Sequence, residues 1–482
     1  MSARVPIGRR IEWLAAEHPD RVAVHAIGVR APEDVTWREL DGRANHCAAV
    51  LSEGGLPDDP TVVVCLPNGL DHVVATLAAW KLGATVVPLD TRLPPDEAGR
   101  LTAAIGPARF VGDPAHTPPC PVVRPVEWAQ GWRAAAPPPA GAVPRSATAT
   151  GGTTGSPRII LRRRGWLFDE RDPVSARDRA LGLDTGQVQL VTTPLFHSGF
   201  GALYQGLAFG HTVVLTPRFM PSLVADAIER YRVNVLRLVP TMMKMLLLPG
   251  VGLGAKDLSS VRALHHGTAP CPDGVKRAWL DLLGPERVFE SYSSLEQLGF
   301  VSIRGDEWLA HPGSVGRPEP GAVVVVDDDG AQAGPGVVGR LFFRSPDGRG
   351  PQYLVAGERL ATWRDGYFSV GDLGSLDADG YLYVRGRAQE VINVGGTNVY
   401  PAEIESVLLS APSVADACVV PQPHDLLGSV PHALVVPAEG FSVAVLDSYC
   451  RDRLSLHKVP VSYEAVAALP RTGTGKLRRT TA

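Results

Sequence analysis

The chain of 482 residues is 45% hydrophobic and carries 47 Lys and Arg against 50 Asp and Glu, a net charge of -3. A chain of this length and apolar content can bury a large core and divide into at least two structural units. The near balance of charge gives no electrostatic reason to expect a nucleic acid or an anionic membrane as partner.

The six cysteines lie far apart in the sequence and form no C-x-x-C pair. This spacing predicts neither a disulfide framework nor a zinc site and is typical of a reducing compartment. The N-terminus has no apolar run long enough for a signal peptide, and no apolar stretch of about 18 residues follows it. The sequence therefore predicts a cytoplasmic protein without a membrane span.

Helical and strand patterns alternate in the first part of the chain. Thr36 and Glu39 have the T-x-x-E spacing of a capping box, which predicts a helix that ends at Gly54. Strand patterns over 62–66 and 84–89 enclose a helical one, and such β-α-β repetition predicts a mainly parallel sheet. The same rhythm returns later, with strands predicted over 189–193, 233–239, 262–266 and 287–292, and helices over 222–231, 241–248 and 273–283.

The pattern changes after residue 313. Short alternating apolar segments separated by Asp and Gly turns predict an antiparallel or barrel-like β unit up to Arg385. The last segment predicts a compact α+β unit, with strands near 417–421 and 433–436 and helices near 402–409 and 442–454. We place a domain boundary near Gly386.

The stretch TATGGTTGSPRII, residues 148–160, concentrates glycine and hydroxyl residues. Glycine leaves backbone N–H groups accessible as an anion-binding concavity, and threonine hydroxyls donate to phosphate or ligate magnesium. The stretch is not a Walker A loop, because no Gly-Lys-Ser/Thr follows at the required offset. It predicts a polyphosphate-binding loop, and a solvated turn is the alternative.

A second glycine-flanked segment, PRTGTGKLRR, presents Lys476 near the end of the chain. Alone it is equally typical of a solvated charge cluster. TGGTTGSPR, TAP, SYSSLE, SVGDLG, GRAQEVINVGGTNVYPAEIE and PRTGTGK, however, follow one another at domain-scale separations. In this series the chain, from about Pro19 to Arg479, resembles the adenylate-forming superfamily. The segments 265–279 and 303–318 are most similar to its acyl-CoA synthetase branch, which makes CoA thioesters of fatty, aromatic or steroid-type acids.

The resemblance implies a mixed α/β fold in two domains. A large N-terminal domain, residues 1–386, would contain two α/β sheets and a β-barrel-like unit and bind ATP and the acyl substrate. A small mobile α+β domain, residues 387–482, would carry the catalytic lysine. The implied reaction has two steps: a carboxylate attacks the α-phosphate of ATP to give an acyl-adenylate, and a thiol then displaces AMP.

The resemblance also implies residue roles on the phosphate side of the site. Glu296 and Thr153 would ligate Mg²⁺, an ion that prefers oxygen ligands. Lys476 would bridge the acyl carboxylate and the α-phosphate as the catalytic cation, a task suited to a point charge. The β- and γ-phosphates would be held by Thr150, Gly151, Gly152, Thr153, Thr154, Gly155 and Arg158.

The nucleoside and thiol sides are implied in the same way. Tyr292 would stack on adenine in a slot lined by Gly267, Thr268 and Ala269. Asp372 would accept hydrogen bonds from both ribose hydroxyls, with Arg387 nearby to balance charge. Gln389 matches the hinge between the domains. The pantetheine arm of coenzyme A would pass along Gly395 and Gly396, where no side chain obstructs it.

The implied acyl pocket is lined by Phe196, His197, Phe200, Tyr204, Ser293 and Leu295. His197 would lie beside the reacting carboxylate as a catalytic residue, and Phe196 would control access. Core packing is the alternative role for His197, Phe196 and Tyr292. The mostly apolar or small lining predicts a hydrophobic acid.

Three positions depart from the family pattern. Gly151 stands where serine is usual and Arg158 where lysine is usual, and these changes keep flexibility and charge. Leu295 stands where a threonine usually donates to the α-phosphate, and leucine cannot donate. Ser293 or Ser294 is the candidate substitute, and an enzyme specialised for one half-reaction is the hypothesis that this change raises.

Three classes of function are therefore compared. The favoured one is a CoA ligase for a hydrophobic acid, acting with ATP, Mg²⁺ and coenzyme A as a monomer or homodimer. The second is a stand-alone adenylating enzyme that loads a carrier protein. The third is a non-catalytic nucleotide sensor, which the presence of Lys476, Asp372 and Glu296 disfavours.

Overall fold

The computed structural model describes residues 4–28, 31–113, 120–129, 143–150, 158–162, 165–345, 347–355, 359–364, 366–469 and 479. Two compact units are distinguished: one comprises Met1–Leu238, Met245–His265 and Pro351–Glu358, and the other Val239–Lys244, His266–Gly350 and Arg359–Ala482. The predicted boundary at Gly386 concerns domain movement and stays a prediction.

Thirteen α-helices lie within the described ranges: α1 (Ile7–Glu17), α2 (Trp37–Ser52), α3 (Leu70–Lys81), α4 (Pro95–Ile105), α5 (Val126–Ala129), α6 (Ala176–Ala180), α7 (Ser198–Ala208), α8 (Pro221–Arg230), α9 (Pro240–Leu246), α10 (Asp273–Leu283), α11 (Gly305–Ala310), α12 (Pro401–Ser410) and α13 (Val443–Arg451).

The first fourteen strands are β1 (Arg4–Pro6), β2 (Val22–Ala26), β3 (Glu33–Thr36), β4 (Thr61–Cys65), β5 (Thr85–Pro88), β6 (Arg109–Gly112), β7 (Val122–Val123), β8 (Arg145–Thr150), β9 (Arg158–Leu161), β10 (Leu167–Asp169), β11 (Val188–Val191), β12 (Thr212–Leu215), β13 (Val235–Leu238) and β14 (Ala263–Gly267).

The later strands are β15 (Val288–Ser293), β16 (Phe300–Arg304), β17 (Val323–Val326), β18 (Gly339–Arg344), β19 (Gln352–Val355), β20 (Ala361–Thr362), β21 (Tyr367–Ser369), β22 (Asp372–Leu376), β23 (Leu382–Arg387), β24 (Ile392–Val394), β25 (Thr397–Val399), β26 (Val414–His424), β27 (Gly428–Pro437) and β28 (Ser462–Ala465).

The first unit contains two α/β sheets. One has the strand order β19-β9-β8-β5-β4-β6-β7, and the other includes the run β14-β13-β11-β12-β2-β3. The pairs β4–β5, β4–β6, β11–β12 and β11–β13 are parallel, as the β-α-β patterns predict. Strand β1 pairs antiparallel with β10.

Helix α2 of the first unit follows its sequence signals closely. Thr36 and Glu39 form the predicted capping box, with Thr36 Oγ1 accepting from Glu39 N at 3.3 Å and Thr36 N donating to Glu39 Oε2 at 2.8 Å. The apolar face of α2, Leu40, Ala44, Cys47 and Leu51, is fully buried. The helix is followed by Gly54, whose φ of 74° is a backbone conformation available mainly to glycine.

The second unit contains an antiparallel sheet and a terminal α+β part. The sheet has the order β20-β21-β18-β22-β23, with β17 also paired to β18, which agrees with the predicted β unit. Nearer the C-terminus, strands follow the order β25-β24-β27-β26, and β28 runs parallel to β27. Ile404 and Leu408 of α12 pack with Val419 and Val435 in the core of this part.

Two expectations about the whole chain can be compared with the structure. All six cysteines are free thiols, as their spacing predicts. Within the described ranges, no helix combines the length and the apolar content that crossing a membrane requires.

Candidate active site

In the second unit, Tyr292, Asp372 and Arg387 meet. Tyr292 is the penultimate residue of β15, and its hydroxyl donates to Asp372 Oδ2 at 2.5 Å. Asp372 and Arg387 are register partners on β22 and β23, and Arg387 Nε lies 3.4 Å from Asp372 Oδ1. Three residues predicted to bind the nucleotide, far apart in sequence, thus form one cluster.

The electrostatics of this cluster favour a neutral tyrosine beside a carboxylate. Burial raises the pKa of the Tyr292 hydroxyl, and the charge and hydrogen bond of Asp372 raise it further. The Tyr292 ring packs against Phe343 at 5.7 Å between centroids, which fixes its plane. Asp372 therefore has a defined orientation, and its charge is partly balanced by a half-exposed arginine.

The predicted adenine-slot segment, Gly267 to Ala269, begins at the last residue of β14. A Cβ added at Gly267 would lie 2.3 Å from the Ser291 carbonyl oxygen, so only glycine permits this approach. Thr268 has φ of 68°, and Gln297, just after the predicted magnesium ligand, has φ of 57°. Such conformations are unfavourable for residues other than glycine, and most of all for the β-branched Thr268, and they accumulate at functional sites.

A buried ion pair adjoins this segment, and the sequence did not reveal its role. Lys276 on α10 donates through Nζ to Glu290 Oε2 on β15, and Nζ also lies 4.4 Å from the centroid of the Trp308 ring. Burial lowers the pKa of Lys276 and raises that of Glu290. His266, immediately before Gly267, is buried, and burial followed by the charge of Lys276 lowers its pKa.

In the first unit, Asn68 fastens the segment that carries Phe196 and His197. Asn68 Nδ2 donates to the Thr193 carbonyl at 3.0 Å, and its Oδ1 accepts from Leu195 N at 2.9 Å. The sequence predicts only a turn at Asn68, because its partners lie more than a hundred residues away in the chain. Sequence reasoning therefore missed that Asn68 holds this segment.

The predicted acyl-pocket residues of the first unit lie at and within α7. Phe196 and His197 are half-buried, and Arg92 lies 5.8 Å from the centroid of the Phe196 ring. Phe200 and Tyr204 are buried in the main hydrophobic core, where Tyr204 OH donates to the His72 carbonyl at 3.2 Å. Their assignment to the pocket stays a prediction.

The predicted phosphate loop lies between two paired strands. Thr150 ends β8, Arg158 begins β9, and the two residues are register partners in an antiparallel pair. The loop residues Gly151, Gly152, Thr153, Thr154 and Gly155 lie outside the described residues, as does Lys476.

Glu296, the predicted magnesium ligand, lies in the segment that follows β15. Glu296 and Leu295 are half-buried, Ser293 is exposed, and Ser294 Oγ accepts from Leu298 N at 3.4 Å. A half-buried carboxylate fits a cation that keeps several waters. The described residues contain no group of three or more His, Cys, Asp or Glu side chains able to enclose a metal ion.

The residues predicted for the hinge and for the thiol channel lie in short turns. Gln389 is exposed in a single 3-10 turn, Ala388–Glu390, that directly follows β23. Gly395 and Gly396, with φ of 57° and 90°, connect β24 to β25. Asn393 Oδ1 accepts from Gly396 N at 2.9 Å and stabilises this turn.

Comparison with known proteins supplies independent information about the chain. The sequence model described as AMP-binding enzyme matches residues 11–354, and that of the AMP-binding enzyme C-terminal domain matches residues 403–476. The chain is 30% identical to 2-succinylbenzoate–CoA ligase of Bacillus licheniformis over 481 residues, covering 96% of each protein. It is also 30% identical to a fatty acid–acyl-carrier-protein ligase of Streptomyces coeruleorubidus, covering 92% of this chain and 90% of that protein.

A solved structure matches over almost the whole chain. It is the o-succinylbenzoate CoA synthetase of Bacillus subtilis in complex with its acyl-adenylate intermediate, with a TM-score of 0.81 and 27% identity. The match covers 99% of this chain and 98% of that one.

Proposed function

The chain belongs to the AMP-binding enzyme family, and we propose that it is an ATP-dependent acyl-CoA synthetase that acts on a hydrophobic, aromatic carboxylic acid. Family membership confirms the predicted superfamily, the mixed α/β fold and the prediction of an acid–thiol ligase. The acid itself, the individual site residues and the hinge belong to the proposal.

The observation that carries the proposal is the contact of Tyr292 and Arg387 with Asp372. A carboxylate held at two oxygens by separate strands can accept two hydroxyl hydrogen bonds from a ribose without reorienting. The Tyr292 ring, restrained by Phe343, offers an aromatic surface to a base beside that carboxylate.

The reaction follows from these groups and from the predicted cation. A carboxylate oxygen of the acid attacks the α-phosphate of ATP, pyrophosphate departs, and an acyl-adenylate forms. The sulfur of coenzyme A then attacks the acyl carbon, its proton is lost to solvent, and AMP departs with the C–O bond electrons. Lys476 serves the first step by reducing charge repulsion between two anions.

We propose that residues of the first unit bind the carboxylic acid. Asn68 holds the backbone before Phe196 and His197, so both side chains begin from a fixed position. An aromatic acid agrees with the half-buried Phe196 and with the 2-succinylbenzoate ligase among the relatives. Mg²⁺, bound through Glu296, would supply additional positive charge to the polyphosphate.

A carrier protein is the alternative thiol acceptor. The support for it is the acyl-carrier-protein ligase that is 30% identical to this chain. Both acceptors end in a phosphopantetheine thiol, so Gly395 and Gly396 are compatible with either. The two functions differ in the acceptor and share the adenylation step.

A screen of aromatic and fatty acids tests the proposal. We expect pyrophosphate release with at least one aromatic acid, and thioester formation when coenzyme A is added. Parallel assays with a phosphopantetheinylated carrier protein identify the acceptor. If thioester forms on the carrier alone, the ligase of a carrier protein replaces the proposal; if no acid releases pyrophosphate, both are wrong.

Lys476→Ala tests the assignment of the catalytic cation. We expect ATP–pyrophosphate exchange to fall by at least about 100-fold, because a positioned charge at the reacting phosphate contributes several kcal/mol. Lys458→Ala, which removes a lysine paired with Glu403 outside the proposed site, is the matched control. Exchange that persists undiminished in Lys476→Ala contradicts the assignment.

A further inference from the structure

Arg479, near the end of the chain, is fixed by three residues of the second unit. Its guanidinium donates to both carboxylate oxygens of Glu405, with 3.0 Å between Nη2 and Oε2. Nη1 also donates to the Val419 carbonyl at 3.1 Å, and Nε lies 3.2 Å from Glu390 Oε2. The planar fork of arginine suits such a set of acceptors, whereas a lysine cannot reach all of them at once.

These contacts lie in a largely buried environment. Glu405, on α12, is 7% exposed and accepts a further hydrogen bond from Val419 N at 2.8 Å. The Arg479 side chain is 16% exposed. Exposed ion pairs contribute little because water and side-chain freedom oppose them. The pair of Arg479 and Glu405 is instead bidentate and largely buried, and Arg479 also donates to a carbonyl of β26. Together these contacts hold the Arg479 side chain in one position.

The position of Arg479 in the sequence connects it to the predicted chemistry. Lys476 lies three residues earlier. Since each residue extends a chain by at most about 3.6 Å, the two Cα atoms are within roughly 11 Å of each other in any conformation. Glu390 closes the 3-10 turn that contains Gln389, the predicted hinge. Through its contact with Glu390, Arg479 therefore touches the turn that contains the predicted hinge.

We propose that Arg479 is a positioning residue for adenylate formation, which holds the tail against Glu405 and Glu390 so that Lys476 reaches the reacting carboxylate. The inference rests on the proposed function, in which Lys476 acts in the first step. The contact with Glu390 joins Arg479 to the turn that contains the predicted hinge.

Arg479→Lys tests this role with the full-length protein. The variant keeps the charge but loses the fork, and a displacement of about 1 Å at a reacting group can cost about 100-fold in rate. We expect ATP–pyrophosphate exchange to fall about 10- to 100-fold. Thioester formation from the supplied acyl-adenylate and coenzyme A, which does not need Lys476, should stay within about 2-fold.

Matched variants separate positioning from folding. Arg451→Lys alters an exposed arginine that pairs with Asp447 on α13 and should change neither half-reaction. Glu405→Gln keeps the acceptor for Val419 N and weakens only the charge, so exchange should fall by a smaller factor while the melting temperature stays close to that of the native protein. The acid in each assay is the one that gives the strongest exchange in the screen.

Two results would overturn the inference: exchange in Arg479→Lys within about 2-fold of the native enzyme, or equal losses in both half-reactions. Lys476→Ala, measured beside it, separates this failure from failure of the premise. If Lys476→Ala abolishes exchange and Arg479→Lys does not, the positioning role is wrong; if Lys476→Ala leaves exchange intact, the role of Lys476 is wrong as well.

Discussion

Asp372 shows how much of the proposed nucleotide site depends on a single side chain. Two strands and a tyrosine hold it, and no other described carboxylate contacts both Tyr292 and Arg387. Asp372→Asn keeps the shape but removes the charge that strengthens hydrogen bonds from the ribose. We expect kcat/KM for ATP to fall about 10- to 100-fold in exchange assays.

Asp379→Asn is the matched control for this variant. Asp379 is exposed in a turn of the same β unit, where its backbone N–H donates to Asp377. Its replacement should leave kcat/KM for ATP unchanged. If the Asp372→Asn enzyme had native ATP kinetics, the proposal that Asp372 binds the ribose hydroxyls would be wrong.

A buried histidine predicts how stability depends on pH. Burial lowers the pKa of His72 from 6.5 to about 3. The folded state therefore keeps His72 neutral while the unfolded chain becomes protonated, so this stabilisation is complete above pH 6.5 and is lost as the pH falls from 6.5 towards 3. The free energy of unfolding should decrease by up to about 1.4 kcal/mol per pH unit from this residue.

Urea unfolding at pH 7, 6 and 5 checks this prediction. His72→Phe keeps an aromatic ring beside Phe200 and should show a weaker pH dependence than the native protein. His457→Phe, at an exposed histidine, should retain the native dependence. Equal slopes for His72→Phe and the native protein would contradict the assignment of the neutral buried ring.

The residues of the site were only partly predictable from sequence. Tyr292, Asp372 and Arg387 were singled out because each occupies a recognisable motif position, and the structure brings them together. Asn68 and Lys276 were not, because their importance depends on which distant backbone or side chain they meet. Local sequence predicts a turn at Asn68 and a helix at Lys276, but not these partners.

Among the elements, α10 and β15 are joined by the buried pair Lys276–Glu290. Lys276→Met leaves the Glu290 carboxylate without its partner in a buried site and should lower the free energy of unfolding by about 3–5 kcal/mol. The double variant Lys276→Met/Glu290→Met removes both charges and should recover most of that loss. Urea unfolding of the native protein, of Lys276→Met, of Glu290→Met and of the double variant measures the coupling, and a Lys276→Met protein that loses less than about 1 kcal/mol would contradict it.

The elements that the sequence predicts are those in which the periodicity and the end signals agree. α2 has an apolar face and a capping box, and both appear as expected. α7 was missed, because three glycines make SGFGALYQGLA a poor helix by propensity. Gly199 lies so close to the Thr193 carbonyl that a Cβ would clash, at 2.3 Å. Tertiary packing of α7 against the core therefore outweighed local preference.

For the whole molecule, the proposed rotation can be tested at the hinge. Gln389 is exposed in a single turn, and proline there would restrict φ and remove a backbone donor. We expect Gln389→Pro to keep ATP–pyrophosphate exchange within about 3-fold while thioester formation falls at least 10-fold. Gln389→Ala, which leaves the backbone free, is the control and should keep both.

The opposite pattern, with exchange lost and thioester formation kept, would mean that proline favours the orientation of the C-terminal domain that serves thioester formation. Equal effects on both half-reactions would contradict a hinge at Gln389. The boundary at Gly386 depends on the same measurement, because a rotation that begins elsewhere would be insensitive to this substitution.

The left-handed backbone at Thr268 and Gln297 has a consequence for the evolution of the enzyme in the laboratory. Each conformation opposes folding by roughly 1–3 kcal/mol that glycine would avoid. Selection for heat resistance alone should therefore enrich glycine at these two positions, whereas selection for turnover should restore the native residues. Libraries screened under both conditions would then diverge at the edge of the proposed nucleotide site and agree elsewhere in the core.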